Sequence, residues 1–271
     1  MHKADYLSID GRLGYVEIAG DGDDTLLCVH TAGQSGVQYR NNIDGLVALG
    51  FRVVVVDLPG HGRSEPAVDG PITSIPYYAD WCLRVLDELS AERRYLLGCS
   101  IGGRIVLEMA AKASDSLEAV VAMECPVSPV TRSKWRQPED SSTPSVRDQT
   151  YFSNLALIGS DVPAETAEMI ATMHCREDWH VTRSDLIGWG RHDLWSRLPD
   201  ITCPTYVISG GDSFGEGLRA TADRIPGARF ESIKGIAHYP NQEMPDFADA
   251  FKRWVGELRP DTAAERGGND V

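Results

Sequence analysis

No basic run occurs anywhere in the 271 residues, and 26 lysines and arginines face 40 aspartates and glutamates, a formal charge of −14. A surface of that sign repels phosphodiester backbones and anionic lipid headgroups, which argues against nucleic-acid and membrane partners and favours an uncharged or weakly charged small molecule. The chain has no run of 18 apolar residues, and no apolar stretch follows its first five residues, so neither a membrane span nor export is expected and a cytoplasmic location is. Six cysteines (Cys28, Cys82, Cys99, Cys125, Cys175 and Cys203) show no C-x-x-C spacing, which gives no support to a zinc site or a redox pair. Several fall inside apolar strands, where free buried thiols are expected. Nothing in the sequence calls for a metal or a cofactor.

What the chain does contain is organised around Arg94-Tyr-Leu-Leu-Gly98-Cys99-Ser100-Ile101-Gly102-Gly103, a short apolar strand that runs into Gly-x-Ser-x-Gly and then into a helical run from Arg104 to Ala113. A serine on so tight a strand-to-helix turn has a strained backbone, and only small flanking residues permit it. Gly98 and Gly102 are therefore steric requirements. The first N–H groups of the new helix point towards whatever the hydroxyl attacks and carry the positive end of its dipole.

Before this turn, Tyr6–Ile9 and Leu13–Ile18 alternate about Asp10-Gly11 as an antiparallel hairpin. Thr25–His30 and Phe51–Asp57 are apolar runs of the kind covered on both faces. Leu117–Met123, Thr205–Ser209 and Arg229–Ile233 complete eight strands. Helices are expected over Ile75–Leu89, Leu218–Ile225 and Phe247–Leu258 from apolar residues at helical spacing. This rhythm reads as an α/β fold: a mostly parallel eight-stranded sheet with helices on both faces and a ligand site beyond the carboxyl ends of the strands. Residues 1–125 and 200–261 form the expected core, 126–199 a helical cap inserted over the site, and 262–271 a disordered tail.

A serine hydroxyl is a poor nucleophile at neutral pH and needs a base within hydrogen-bond reach, oriented in turn by a carboxylate. In such a sheet the base belongs in the loop after the last strand, where Lys234-Gly-Ile-Ala-His238-Tyr-Pro240 supplies His238. His2 is terminal, His30 and His61 sit in turns with structural uses, and His174, His180 and His192 fall in the insertion. Trp179, Trp189 and Trp195 in the insertion are candidates for facing the substrate, against the alternative that they pack its small core.

The elbow at Ser100, the segment Asp57-Leu-Pro-Gly-His-Gly-Arg-Ser64 and the His238 loop together resemble the α/β-hydrolase superfamily over nearly the whole chain outside the insertion. The resemblance implies an oxyanion hole from the N–H groups of Ala32 and Ile101, although His30-Thr-Ala-Gly33 stands where many members have His-Gly-x-x. Members commonly place the triad acid in Gly-x-x-Asp after the seventh strand. Here Gly210-Gly-Asp212-Ser213 brings the aspartate one residue early and puts Ser213 in its slot. Glu124 ends the sixth strand, where some members carry the acid, including the resorcylic lactone hydrolases of the zearalenone type, which this arrangement also resembles. Glu124 and Asp212 both remain candidates. The implied activity is a serine esterase or lactonase acting on a bulky or aromatic small molecule through an acyl-enzyme, since the superfamily's epoxide hydrolases and haloalkane dehalogenases use an aspartate nucleophile. A carbon–carbon bond hydrolase on the same triad and a non-catalytic small-ligand receptor are the alternatives.

Overall fold

A computed structural model describes residues 2–127, 145–211, 213 and 215–259. The expected tail, 262–271, and the candidate acid Asp212 lie outside the described residues, as does the proline-rich start of the insertion from 128 to 144.

Eight strands form one sheet: β1 (His2–Ile9), β2 (Arg12–Ala19), β3 (Asp24–Val29), β4 (Phe51–Val56), β5 (Arg93–Cys99), β6 (Ala119–Met123), β7 (Thr205–Gly210) and β8 (Arg229–Ile233), in the order β1-β2-β4-β3-β5-β6-β7-β8. β1, β2 and β4 pair antiparallel and all later neighbours pair parallel. Asp10 and Gly11 both have positive φ, 54° and 72°, as a two-residue hairpin turn matching the strand twist requires. The hairpin strand begins four residues earlier than the alternation marks it, at His2, because its first residues pair with β2 while staying exposed.

The helices are α1 (Ile43–Ala48), α2 (Ile75–Glu88), α3 (Ile101–Ala113), α4 (Val146–Leu155), α5 (Ala164–His174), α6 (Trp179–Arg191), α7 (Gly215–Arg224), α8 (Pro240–Glu243) and α9 (Phe247–Leu258). Two apolar clusters cover the two faces of the sheet. On one, α2 and α3 pack through Tyr78, Trp81, Val85, Ile105 and Met109 onto Leu27, Val29, Val54 and Leu96. On the other, α9 lays Phe247, Phe251 and Trp254 against Leu26, Val53, Tyr95 and Val121. The alternation of faces along each strand is what buries both sets at once.

α4, α5 and α6 come between β6 and β7 and pack over loops at the carboxyl ends of the strands. A side chain at Gly33, after β3, would touch Thr182 and His174; Leu157 O accepts from His238 N at 3.0 Å. Asp185 of α6 reaches down to the loop after β4, taking His61 Nε2 at 2.7 Å, and to α2, taking the Tyr78 hydroxyl at 2.7 Å. All three of these side chains are buried, so the insertion is tied to the core by a buried polar cluster as well as by apolar contact.

Candidate active site

Because Gly102 and Gly103 already have helical geometry, α3 begins at Ile101, three residues ahead of the apolar periodicity, whereas Gly98 belongs to β5, which ends at Cys99. Ser100 between strand and helix has φ 57° and ψ −115°, a backbone state that non-glycine residues enter only under constraint. The constraint is close packing. A Cβ at Gly98 would overlap the Gly102 carbonyl, and one at Gly102 would overlap the carbonyls of Val29 and His30. Ser100 N donates to Met123 O at 2.8 Å, which fastens the turn to β6.

His238 follows β8, and its Nε2 lies 2.9 Å from Ser100 Oγ, so the hydroxyl can donate to the ring. On the far side of the ring, Nδ1 lies 3.4 Å from Glu124 Oε2, longer than the 2.7–2.9 Å of a tight charge-assisted bond. Glu124 is fully buried and, like Ser100, has positive φ, 52°. Its Oε1 accepts from Gly210 N at 2.6 Å, and its Oε2 accepts from the Ser213 hydroxyl. Ser213, in the slot where the resemblance leads one to expect the acid, thus donates to the glutamate that ends the neighbouring strand.

The loop after β3 is braced from several sides. His30 Nδ1–H donates to Thr31 O at 2.8 Å while its Nε2 accepts from Leu58 N at 3.0 Å, a pattern that needs the neutral ring. Burial, and next the adjacent His61, push His30 down to about 4, in keeping with that tautomer. Gln38 Oε1 accepts from Thr31 N at 2.7 Å, and Gln34 Nε2 donates to Gln242 Oε1 at 2.9 Å. Among the described residues no turn or loop hydrogen bond uses the N–H of Ala32, and Ile101 N opens a helix whose first donors have no partner within it.

His174, on α5, donates from Nδ1 to Ile170 O at 2.9 Å, and its ring lies 4.9 Å from that of Tyr239. Burial holds it down to about 4, with His238 adding to the effect.

The three tryptophans have different surroundings. Trp189 is buried in the apolar cluster under α3, with the Arg104 guanidinium 4.0 Å over its ring. Trp195 is half-buried against that cluster and pairs with Arg224, whose guanidinium is 5.0 Å from the ring. Trp179 is half-exposed at the start of α6. The packing role weighed for such residues accounts for Trp189 and Trp195.

Among the described residues no group of three or more histidines, cysteines, aspartates or glutamates is placed to hold a metal ion, and no helix is long and apolar enough to cross a membrane. A cavity of about 340 Å³ is lined by Gln34, Ser35, Arg63, Met173, Arg176 and Glu177 among others, and its lining includes neither Ser100, His238 nor Glu124.

Sequence missed Glu243. This carboxylate is buried on α8 and takes Ala237 N at 2.7 Å, Tyr239 N at 2.8 Å and Gly159 N at 3.0 Å. Its spacing five residues after His238 was visible, but a lone glutamate in a polar turn reads as a surface charge.

Comparison with known proteins bears on the whole frame. A 2-hydroxy-6-oxononadienedioate/2-hydroxy-6-oxononatrienedioate hydrolase of Cupriavidus pinatubonensis is 28% identical over 256 residues, 87% of this chain and 86% of that one. A hydrolase from Pseudomonas aeruginosa superposes with a TM-score of 0.79 at 22% identity, covering 94% of this chain and 98% of its own. The enol-lactonase of Burkholderia xenovorans superposes with a TM-score of 0.76 at 21% identity, covering 95% and 100%. At those identities the two structures speak for the fold. The family model of the alpha/beta hydrolase fold matches residues 24–247, from β3 through the Ser100 elbow and the His238 loop to the start of α9, and the chain belongs to that family.

Proposed function

We propose that this α/β hydrolase works through Ser100 as nucleophile, His238 as general base and acid, and Glu124 as the carboxylate that orients the imidazole. The observation that carries the reading is the 2.9 Å approach of Ser100 Oγ to His238 Nε2 on a strained elbow at a helix N-terminus. In the first half-reaction Ser100 Oγ bonds to a substrate carbonyl carbon while its proton passes to His238 Nε2. The negative charge gathers on the carbonyl oxygen, between the N–H groups of Ala32 and Ile101 and the positive end of α3. His238 then gives its proton to the departing atom. Water, deprotonated by the same nitrogen, displaces the acyl group from Ser100 and restores the starting state.

For the substrate, we favour a bulky or aromatic ester or lactone held beneath α5 and α6 as a cap. The excess of acidic side chains disfavours small anionic esters. The narrower likeness to resorcylic lactone hydrolases rests on the placement of Glu124 alone.

A second reading is favoured by the relatives. A 2-hydroxy-6-oxo-dienedioate contains neither ester nor amide, so its hydrolysis has to break the carbon–carbon bond beside the 6-oxo carbonyl. The same residues could do this: the dienol first shifts to its 2-oxo tautomer, its proton going to the carbon beside the 6-oxo carbonyl; Ser100 Oγ then bonds to the 6-oxo carbon, the electrons of the broken carbon–carbon bond pass through the conjugated chain to the 2-oxo oxygen, which takes up the proton held by His238, and water releases the acid from Ser100.

A panel of nitrophenyl esters, aryl lactones and a 6-oxo-dienedioate, with the products identified by mass, separates the readings. Ser100→Ala should lose activity on every substrate that the wild type hydrolyses, and a fluorophosphonate should label the wild type and not that variant. Labelling of both, or residual turnover within tenfold of wild type, would sink the serine mechanism.

A further inference from the structure

The base of the proposed mechanism sits on a short loop, and what holds that loop is a second buried carboxylate. Glu243 is 3% exposed. Its Oε2 accepts from Ala237 N at 2.7 Å and from Gly159 N at 3.0 Å, while its Oε1 accepts from Tyr239 N at 2.8 Å. The two loop donors are the residues immediately before and after His238. A carboxylate accepting both of them fixes the peptide planes on either side of the histidine and so the direction of its Cα–Cβ bond. The third bond reaches the segment after α4, whose Leu157 O takes the N–H of His238 itself at 3.0 Å. Every backbone N–H from 237 to 239 is therefore committed.

A neutral acceptor would serve for geometry alone. Three N–H bonds to an anion are what make a buried charge tolerable here without an arginine or lysine beside it. Burial pushes the Glu243 carboxyl up, the three backbone bonds oppose this, and His238 opposes it as well. The last effect is reciprocal: an anion stabilised by a nearby imidazolium stabilises that imidazolium. An imidazolium is what forms when Ser100 gives up its proton.

We infer that Glu243 is a positioning residue for His238, holding its loop through Ala237 N and Tyr239 N and supporting the positive charge the ring acquires. The inference rests on the Ser100–His238 reading above. Other groups face the ring as well. Glu124 lies at Nδ1, Ser100 at Nε2, Tyr239 edge-on at 4.9 Å, neutral His174 beyond Tyr239, and the Cys99 thiol on the His238 carbonyl. All of them remain in a Glu243 variant, so the change observed belongs to Glu243.

The test is inactivation by a fluorophosphonate, which needs no knowledge of the substrate, measured across pH as a maximal rate and a half-saturating concentration. In Glu243→Gln, an amide of the same size, one oxygen and the charge are lost. The maximal inactivation rate should fall by about tenfold or more, since a base displaced from Ser100 Oγ loses part of the roughly 10²–10⁴ that general-base catalysis contributes. The half-saturating concentration should stay within about threefold, since the group touches no ligand. The acid limb of the pH profile should move to lower pH, because an anion that favoured ring protonation has gone. Glu243→Asp keeps the charge and shortens the reach, so it should lose rate while keeping the wild-type acid limb. If Glu243→Gln does not fold, Glu243→Asp decides alone: a slowed rate with an unmoved limb supports the inference, and an unchanged rate overturns it. A folded Glu243→Gln with wild-type rate, or with slowed rate and an unmoved acid limb, also overturns it and leaves a purely structural role. Failure of the wild type to label at Ser100 would instead remove the reading beneath it.

Discussion

A carboxylate at the end of an apolar strand has to be satisfied by donors that arrive from elsewhere in the chain, and Glu124 takes them from β7 and beyond: Gly210 N and the Ser213 hydroxyl, with His238 Nδ1 at 3.4 Å. If this is the group that orients the base, Glu124→Gln should lower kcat by roughly 10⁴, the cost of the comparable change in a serine protease, with the fold retained. Asp212→Asn should cost far less. Ser213→Ala removes a hydrogen bond to a charged acceptor and should lower kcat by about tenfold, equivalent to about 1.4 kcal/mol. Kinetics at saturating nitrophenyl ester for the three variants check these outcomes together. A near-normal Glu124→Gln beside a crippled Asp212→Asn would return the acid to the position more common in this superfamily.

At the scale of elements, the strength of the link between α6 and the core decides how well the insertion is held. Asp185 joins His61 and Tyr78 with all three side chains buried, and deleting Asp185 takes this partner from both of the others. Asp185→Ala should lower unfolding stability by about 3–5 kcal/mol, the usual result of breaking a buried pair from one side. Urea midpoints measure it, and a loss below about 1 kcal/mol would show that the cluster is not a tether. Burial works against charge on His61, but Asp185 outweighs it and holds the ring above its ordinary value. The stability this pair adds is therefore fully present below about pH 6.5 and is lost as the pH rises through the raised value.

The elements themselves were largely legible in the chain. All eight strands overlap the segments that apolar runs, alternation and the Asp10-Gly11 turn mark; β3, β6 and β7, buried throughout, read as apolar runs, while β1 and β8 at the sheet edges stay largely exposed or half-buried. α1 was not legible: Ile43–Ala48 spans six residues with Gly45 in the middle, too short for a period to show. The same holds for α8, four residues long, and with it for Asn241, Gln242 and Glu243, which act through hydrogen bonds to backbone and amide groups outside that helix. Ser100 and His238, which the sequence singled out, stand 2.9 Å apart, since elbow and post-strand loop are positions defined by topology. The surroundings of Trp189 were beyond reach, because burial of an aromatic in an insertion depends on how the insertion folds back.

For the molecule as a whole, pH should act through histidines that are buried uncharged. His30 and His174 are each pushed down to about 4, first by burial. The unfolded chain binds protons at these rings below about pH 6.5, while the folded chain does not until about pH 4. The share of stability that these two rings control should be full above that window and fall steadily as the pH drops through it. Melting temperatures at pH 7, 6 and 5 in one buffer series check this, and His174→Gln should flatten the slope. A constant melting temperature from pH 7 to pH 5 would mean that these rings already carry protons in the native state.

The order of the strands has a further consequence for synthesis. Ser100, its helix and the loop after β3 all lie in the first half of the chain, on strands that neighbour one another in the middle of the sheet. The histidine that would activate the serine lies 138 residues later, beyond the strand that closes the sheet at its far edge. A chain emerging N-terminus first can assemble the central strands and the elbow while holding no base at all. On the proposed mechanism, hydrolytic competence would therefore arise only once His238 has been synthesised, and a fragment ending before it would hold Ser100 without its base.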